Sequence, residues 1–364
     1  MIIDRSYYQQ WTFPPVHFLY FNLAQSLAVF YGRNRWDYYW TEGFPLLLTT
    51  LLPFGLWGVY VSLARTKGAY TTTRFILAVT TVVVAIFLSL ISHKEVRFIY
   101  PLLPIIHVLA ARTFARYLKW AWTDTFKVDS KHQRWIVRRL SCVLLIVTSI
   151  AISALATNLH QPAPLTVLAY LRQEYITHHP NQPTPRTGTS TVLDDRVRKS
   201  QDAMTVSFLM PCHSTPWRSH LIFPGIKAWA LSCEPPLSVP LLDRGSYLDE
   251  ADQFYQDPMT WMNSSLGPPP QSRDDVLMPL PAMGSPAPWD GQDGPKMWTE
   301  YIVFFEQLEG TVRGLLGNGH GEDRIQGQDS RGAAYEECWR GWNSWGHDDW
   351  RRKGDIVVWC WRQS

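Results

Sequence analysis

Two apolar runs separated by a charged turn dominate the middle of the chain. Residues 75–118 read FILAVTTVVVAIFLSLISHKEVRFIYPLLPIIHVLAARTFARYL, in which the runs 75–92 and 98–118 flank the turn 93–97. A helix that crosses the hydrocarbon core of a bilayer needs about 20 mostly apolar residues. The stretch therefore predicts two membrane-spanning helices joined by a short turn of ionisable side chains.

Two more apolar runs follow the same rule. Residues 44–64 and 140–157 are long and apolar, so four transmembrane helices are predicted between residues 44 and 157. The weaker run 16–31 is predicted to be an amphipathic helix lying in the membrane interface, with a fifth span as the alternative. Residues 158–364 are polar, rich in Pro, Gly and Trp, and contain no run of membrane length. They are predicted to form a separate domain.

The short loops between the predicted spans indicate their orientation. Loop 65–74 is basic, and loop 112–139 carries many Lys and Arg residues but few acidic ones. Both loops lie on the same side of a four-span bundle, and positively charged loops stay in the cytoplasm. The N-terminal segment 1–43, the turn 93–97 and the domain 158–364 are therefore predicted to face the lumen.

The polar domain has the pattern of a small α/β fold. Short β-branched or aromatic runs bounded by turn residues predict strands at 204–210, 227–233, 300–306 and 355–361. Residues 162–174 have helical periodicity. The predicted fold class is thus a multi-pass α-helical membrane protein with a small C-terminal luminal α/β domain.

Four of the five cysteines lie in this domain, at positions 212, 233, 338 and 360. Disulfides persist in luminal compartments, so these cysteines are predicted to pair. Four cysteines allow three pairings, and the sequence leaves the choice open. Their spacing is not that of a zinc site, and no metal is predicted. Asn263-Ser264-Ser265 matches a glycosylation acceptor, so Asn263 is predicted to carry a glycan.

The turn between the middle spans is the strongest candidate for a functional site. It contains His93, Lys94, Glu95 and Arg97. Polar groups clustered at a membrane boundary indicate a substrate site. Lys94 and Arg97 are candidates to bind the phosphate of a lipid carrier, with Glu95 orienting either cation and His93 donating to phosphate or transferring a proton. The alternative is a polar turn whose cations extend to the headgroups.

A second group of candidates combines aromatic and acidic side chains. Trp36, Asp37 and Glu42 lie in the aromatic segment before the first span, where they suit sugar stacking and hydroxyl recognition but equally an interfacial belt. His213 in the loop PCHSTPWRSH is a further candidate for binding an acceptor headgroup. The net charge is only +3, and nothing in it points to nucleic acid.

The sequence around the turn resembles a known family. SHKEVRFIYPLLP at 92–104 is similar to the HKE-R-F signature of the dolichol-phosphate-mannose-dependent α-mannosyltransferases of glycosyltransferase family 22. DRSYYQQW at 4–11 looks like a luminal segment of that family. Blocks of the polar domain look like the branch of the family that acts on GPI precursors, namely FLMPCHSTPWRSHL at 208–221, LSCEPPL at 231–237, LDEADQFYQDP at 248–258 and NSWGHDDWRRKGDIVVW at 343–359.

The resemblance implies a GT-C type fold, here partial, in the membrane of the endoplasmic reticulum. It implies transfer of mannose in α1,2 linkage from dolichol-phosphate-mannose, a donor substrate rather than a cofactor, to a GPI precursor at the third mannose. An inverting enzyme of this kind uses a carboxylate to deprotonate the acceptor hydroxyl. No partner subunit follows from the sequence.

One departure from the family concerns the base. The acidic residues taken as catalytic in the family lie in its first luminal loop, and that loop is expected upstream of Met1. Asp4 belongs to a later segment and does not inherit the role, so the catalytic base is unassigned. The missing loop favours one alternative, a truncated, non-catalytic membrane protein. The other alternative is a sister mannosyltransferase of lipid-linked oligosaccharide assembly, against which the GPI-like blocks of the polar domain argue.

Overall fold

The structure is a computed structural model of the chain. It describes residues 2–20, 30, 32–64, 69–123, 132–179, 203–237, 239–240, 243–270, 272, 275–276, 296–316, 335–346 and 349–361. The chain divides into two compact units. The helical unit comprises Met1–Ala154 and Pro235–Val239, and the sheet unit comprises Leu155–Glu234 and Pro240–Ser364.

The helical unit begins with two short helices, α1 (Ile2–Tyr8) and α2 (Pro14–Leu19). A π-helical turn at Tyr39–Gly43 leads into α3 (Phe44–Leu48), a 3₁₀ turn (Thr49–Leu51) and α4 (Leu52–Ala64). The longer helices are α5 (Ala69–Ser89), α6 (Leu103–Trp122), which follows a 3₁₀ segment at Val96–Leu102, and α7 (His132–Ala154). The π-helical turn at Leu155–Leu159 that follows α7 belongs to the sheet unit.

Four helices in the described part of the chain are long and apolar enough to cross a membrane. They cover Tyr39–Ala64, Thr72–Ser89, Val96–Trp122 and Ile136–Leu159. Each of the four predicted spans thus overlaps one of these candidate helices, and the first candidate begins five residues earlier than the sequence pattern indicated, because the aromatic turn at 39–43 joins the helix. Most of the predicted amphipathic helix at 16–31, and residues 65–68 and 124–131 of the basic loops, lie outside the described residues.

Prolines at the starts of these helices occupy positions that need no amide donor. Pro45 and Pro104 lie in the first turns of α3 and α6. The first amides of a helix have no partner within the helix, so proline is tolerated there. Pro101 falls in the 3₁₀ segment that precedes α6. The chain thus passes from the charged turn into the third span without breaking a regular helix.

Glycines bring the first and third spans into close contact. A Cβ on Gly58 of α4 would lie 2.6 Å from the carbonyl carbon of Leu109 and 3.0 Å from the amide nitrogen of Ala110, both on α6. A Cβ on Gly55 would lie 2.9 Å from Ile106. Small residues at a helix interface let two backbones approach closely within a bilayer, where apolar burial alone gives little attraction. The close packing of α4 against α6 therefore depends on the absence of side chains at Gly55 and Gly58.

The sheet unit begins with the π-helical turn at Leu155–Leu159, continues with α8 (Ala163–His178) and contains a five-stranded mixed sheet. The strands are β1 (Met204–Leu209), β2 (Ile226–Ala230), β3 (Tyr301–Phe305), β4 (Tyr335–Gly341) and β5 (Ile356–Trp361). Helices α9 (Glu250–Gln256), α10 (Pro258–Ser265) and α11 (Glu309–Leu316) complete it. The spatial order is β2-β1-β3-β5-β4, in which β1 is parallel to β2 and β3, whereas β5 is antiparallel to β3 and β4.

Both faces of the sheet are buried along its central strands β1, β3 and β5. Val206, Phe208 and Val358 belong to the core shared with α8, and Leu209, Phe304 and Val357 to the core shared with α9, α10 and α11. Successive residues of a strand point to opposite faces, so a strand covered on both sides reads as a continuous apolar run. The four predicted strands overlap β1, β2, β3 and β5 for this reason, and β2 ends three residues before the predicted end at residue 233. β4 was not predicted.

Two disulfides connect neighbouring strands of the sheet. Cys212 after β1 pairs with Cys233 after β2, at a Cα–Cα distance of 6.1 Å. Cys338 on β4 pairs with Cys360 on β5, at 5.9 Å. The structure thus selects one of the three pairings that the sequence left open. Cys142 is the free cysteine among the described residues, and it is buried in α7.

Replacing the pair Cys338 and Cys360 by Ser together is expected to destabilise the sheet unit by about 3 kcal/mol, because each bridge closes a loop of roughly 20 residues in the unfolded chain. Thermal unfolding of the purified protein measures the change. Peptide mapping without reduction should recover the peptide with Cys212 linked to that with Cys233, and the peptide with Cys338 linked to that with Cys360. Cys142→Ala is the control and should give the same two linked pairs. Cross-linked peptides joining 212 or 233 to 338 or 360 would contradict the assignment.

Candidate functional site

The charged turn is fixed by a contact with the segment that precedes the first span. Helix α5 ends at Ser89, and the chain resumes as a 3₁₀ segment at Val96. Asn34 donates its backbone N–H to the Ser92 carbonyl at 3.0 Å, and its side-chain oxygen accepts the backbone N–H of Lys94 at 2.9 Å. Two hydrogen bonds between segments 60 residues apart therefore define the shape of the turn.

Lys94 lies inside this turn. Its side chain is only 4 % exposed, and the ammonium donates to the Ile91 carbonyl at 2.6 Å and to the Asn34 carbonyl at 3.4 Å. Burial, together with the nearby positive charge of Arg33, lowers the pKa of Lys94 from its usual value. The ammonium thus holds backbone carbonyls of both segments together. Its predicted role as a phosphate ligand stays a prediction, and in this geometry it faces inward.

Glu95 is the hub of the ionisable groups. It accepts hydrogen bonds from the Arg97 guanidinium, at 2.7 Å from Nη2 and through a second contact from Nε, and pairs with His93 Nε2 at 3.0 Å. Burial alone would raise the pKa of Glu95, but the hydrogen bonds from His93 and Arg97 outweigh it and lower the pKa overall. Glu95 is therefore a carboxylate at neutral pH and orients two donors.

Arg97 is the cation of the turn that faces outward. Its side chain is 65 % exposed, although two of its nitrogens are bound to Glu95. A guanidinium held by a two-pronged contact keeps its plane fixed and presents its remaining N–H groups in a set direction. The arrangement suits binding of a phosphate oxygen. Arg97, His93 and Glu95 thus form one preoriented group. Lys94 stabilises the turn that carries them through its hydrogen bonds to backbone carbonyls.

The aromatic segment places two of the acceptor candidates near the start of the first span. Asp37 pairs with Arg35 at 2.6 Å, and its carbonyl accepts the backbone N–H groups of Trp40 and Thr41, which begins the first turn of the span. Trp36 is largely exposed. The backbone of Asp37 therefore begins the helix while its side chain pairs with Arg35, and Trp36 is open to a ligand or to lipid.

An open groove of about 480 Å³ lies beside this segment, within the helical unit. Its lining combines the ends of three spans, and the residues are Tyr38, Glu42, Pro45, Leu46, Thr49, Val96 and Ile152. Burial, followed by the charges of Glu42 and Glu95, raises the pKa of Tyr38. The Tyr38 phenol is thus within electrostatic range of both carboxylates. The groove is mainly apolar, with Glu42 as its charged group.

The remaining candidates lie in the sheet unit. His213 is exposed in the loop after β1, in a left-handed conformation with φ 60°. Asn263 is exposed on α10. Sequence reasoning missed Asn34 and Tyr38, which complete the site in the helical unit. Asn34 gave no local signal, because its importance comes from a partner 60 residues away.

Comparison with known proteins places these features in a family. The sequence profile of the Alg9-like mannosyltransferase family matches residues 1–222. The chain is 44 % identical to GPI mannosyltransferase 3 of Aspergillus fumigatus over 99 % of its own length, covering 44 % of that protein. It is 40 % identical to GPI mannosyltransferase 3 of Emericella nidulans over 99 % of its length, covering 50 % of that protein.

The similarity extends to animals. The human protein named GPI alpha-1,2-mannosyltransferase 3 is 29 % identical over 77 % of the chain, which covers 40 % of the human protein. The chain spans about half the length of the curated relatives that it matches. No solved structure matches it. On the profile match, which covers more than half of its residues, the chain belongs to the Alg9-like mannosyltransferase family, glycosyltransferase family 22.

Proposed function

We propose that this chain provides part of a GPI mannosyltransferase, an enzyme that transfers mannose in α1,2 linkage from dolichol-phosphate-mannose to a GPI precursor as its third mannose. The names of its relatives support this step. The observation that carries the proposal is the preoriented group at the turn. The exposed guanidinium of Arg97, fixed by the partly buried carboxylate of Glu95 next to the ends of candidate membrane spans, suits the phosphate of a lipid-linked donor.

Each residue of the turn has a distinct part in this proposal. Arg97 binds the donor phosphate and stabilises the negative charge that grows on it as the sugar leaves. Glu95 and Lys94 position Arg97, one by holding its guanidinium and the other by closing the turn. His93 donates to the phosphate or carries a proton.

The acceptor is proposed to approach from the groove. Trp36 would stack on a sugar ring, and Glu42 and Asp37 would accept hydrogen bonds from its hydroxyls. The transfer joins the acceptor oxygen to the anomeric carbon, releases dolichyl phosphate, and passes the acceptor proton to a carboxylate. That carboxylate is not assigned to a residue of this chain.

The proposed location is the membrane of the endoplasmic reticulum, with the turn 93–97 and the sheet unit in the lumen. Two disulfides support the luminal placement of the sheet unit, since disulfides persist in that compartment and are rare in the cytosol. The basic loops at the opposite ends of the spans support the same orientation. The lipid-linked donor, the GPI precursor and the membrane itself are the proposed partners.

Glycosylation of Asn263 tests the orientation. Asn263 is exposed on α10, so an N-linked glycan is expected there if the sheet unit is luminal. Endoglycosidase treatment should increase the gel mobility of the protein expressed in fungal cells, and Asn263→Gln should give the faster band without treatment. Ser265→Ala removes the acceptor tripeptide without changing Asn263 and serves as the matched variant. Equal mobility of the untreated protein, the treated protein, Asn263→Gln and Ser265→Ala would reject the glycan.

Complementation tests the function. Fungal cells lacking the third-mannose step should regain GPI-anchored proteins when they express the active form of this protein, either the chain itself or a version extended upstream of Met1. Accumulation of the two-mannose precursor should disappear at the same time. Rescue of a strain deficient in lipid-linked oligosaccharide assembly instead would favour the sister enzyme, and failure of both forms would favour a non-catalytic role.

A further inference from the structure

A pair of exposed tryptophans lies in the loop that follows β4. Trp345 is 75 % exposed and Trp342 is 42 % exposed, and their rings contact each other edge to face with centroids 5.1 Å apart. Two large aromatic side chains left open next to each other indicate an interaction surface. The described residues of the sheet unit leave both rings exposed.

This loop is hydrogen-bonded to the end of the fourth membrane span. The Trp342 indole N–H donates to the Leu159 carbonyl at 3.2 Å, and Gln161 donates its backbone N–H to the Asn343 carbonyl at 2.7 Å. Ser344 and His160 are joined by a third hydrogen bond of 3.1 Å. Residues 342–344 thus run alongside residues 159–161.

The contact places the tryptophans at the end of the fourth candidate span. Leu159 is the last residue of the candidate span Ile136–Leu159, and a helix that crosses a bilayer ends near the border between hydrocarbon and headgroups. Tryptophan is enriched at that border, where the ring contacts acyl chains and the indole N–H keeps a polar partner. Leu155 and Leu159, both about half-exposed, extend the apolar surface towards the hydrocarbon core.

We propose that Trp342, Trp345, Leu155 and Leu159 form an interfacial anchor whose partner is the phospholipid bilayer. The anchor inserts the two indole rings among the headgroups where the fourth span leaves the membrane, and it holds the end of β4 at the bilayer surface. It is independent of the proposed enzymatic function, because none of the four residues belongs to the turn 93–97 or to the groove.

The chain offers a matched pair of labelling sites for a direct test. Gly346 adjoins Trp345, and Gly310 lies on α11, and a Cβ at either position would meet nothing within 4 Å. Gly346→Cys and Gly310→Cys are each labelled with an environment-sensitive fluorophore in a Cys142→Ala background and reconstituted in phospholipid nanodiscs. Quenching is measured with a nitroxide carried on lipid headgroups and, separately, with aqueous iodide.

The label at residue 346 is expected to be quenched about threefold more strongly by the lipid nitroxide than the label at residue 310, with the reverse order for iodide, because an interfacial site is close to headgroups and screened from water. Replacing Trp342 and Trp345 by Ala in the Gly346→Cys protein should raise the iodide quenching of the label at residue 346 to that of the label at residue 310. Equal quenching of the two labels by both agents would overturn the anchor, as would a label at 346 that stays screened without the tryptophans.

Discussion

Mannose transfer is expected to fall about a hundredfold when Arg97 is replaced by Ala, because loss of one preoriented charged donor from a reacting centre typically costs that much in rate. Arg97 is 65 % exposed and contributes its contacts to Glu95 rather than to the core, so the protein level should change little. The measurement is transfer from dolichol-phosphate-mannose in membranes, per amount of protein, in the form that complements the third-mannose step.

Two further variants separate this effect from a loss of charge in general. Arg97→Lys keeps the positive charge but loses the two-pronged contact, so it should retain part of the activity. Arg313 is the matched control, since its side chain is 67 % exposed and also paired with a glutamate, Glu309, but lies in the sheet unit. Arg313→Ala should transfer mannose at the normal rate. Normal transfer by Arg97→Ala would remove Arg97 from the mechanism.

Gly58→Ala is expected to cause the largest loss of stability in the helical unit. The added Cβ would meet the carbonyl group of Leu109 and lie 3.0 Å from the amide nitrogen of Ala110, and backbone atoms inside a helix cannot rotate away as a side chain can. The two helices must move apart, and overpacking of this kind costs about 1–3 kcal/mol or more. The melting temperature of the purified protein, and the fraction that elutes as a single species, should both fall.

Gly310→Ala provides the comparison for that experiment. Gly310 lies in α11, where a Cβ meets nothing within 4 Å, so the substitution should leave the melting temperature unchanged or raise it slightly. Gly55→Ala should have an intermediate effect, since its Cβ would approach the side chain of Ile106, which can adjust. A Gly58→Ala protein that melts like the parent would show that the first and third spans are packed less closely than described.

The membrane-spanning part of the fold could be predicted because one physical requirement dominates it. A span needs length and apolarity, and both are local properties of the sequence. The strands with two buried faces were also predictable from their apolar runs. β4 reads YEECWRG and lies at the edge of the sheet, where Glu336, Glu337 and Arg340 remain accessible. This polar sequence lacks the apolar run or alternation that predicts a strand. β4 is a strand because it pairs with β5.

The candidate site was predictable only in part, for a related reason. Clustered ionisable residues at 93–97 are visible in the sequence, but the different surroundings of Lys94 and Arg97 are not. Asn34 causes this difference, because it accepts hydrogen bonds from both the backbone N–H and the ammonium of Lys94, and Arg97 has no such contact with it in the described structure. The groove likewise combines residues from segments more than 50 positions apart, such as Glu42 and Val96. Contacts between residues distant in the sequence leave no periodic pattern from which they could be predicted. The disulfide pairing could not be predicted for the same reason.

The position of β5 in the sheet has a consequence for biosynthesis. β5 is the last of the five strands to be synthesised, yet it lies between β3 and β4. Until residue 361 has left the ribosome and entered the folding compartment, β3 has an unpaired edge and Cys338 has no partner on β5. Unpaired strand edges are prone to association with other chains. The β3 edge therefore stays open to other chains from the synthesis of Phe305 until that of Trp361, and a premature stop codon before Ile356 would leave it without β5.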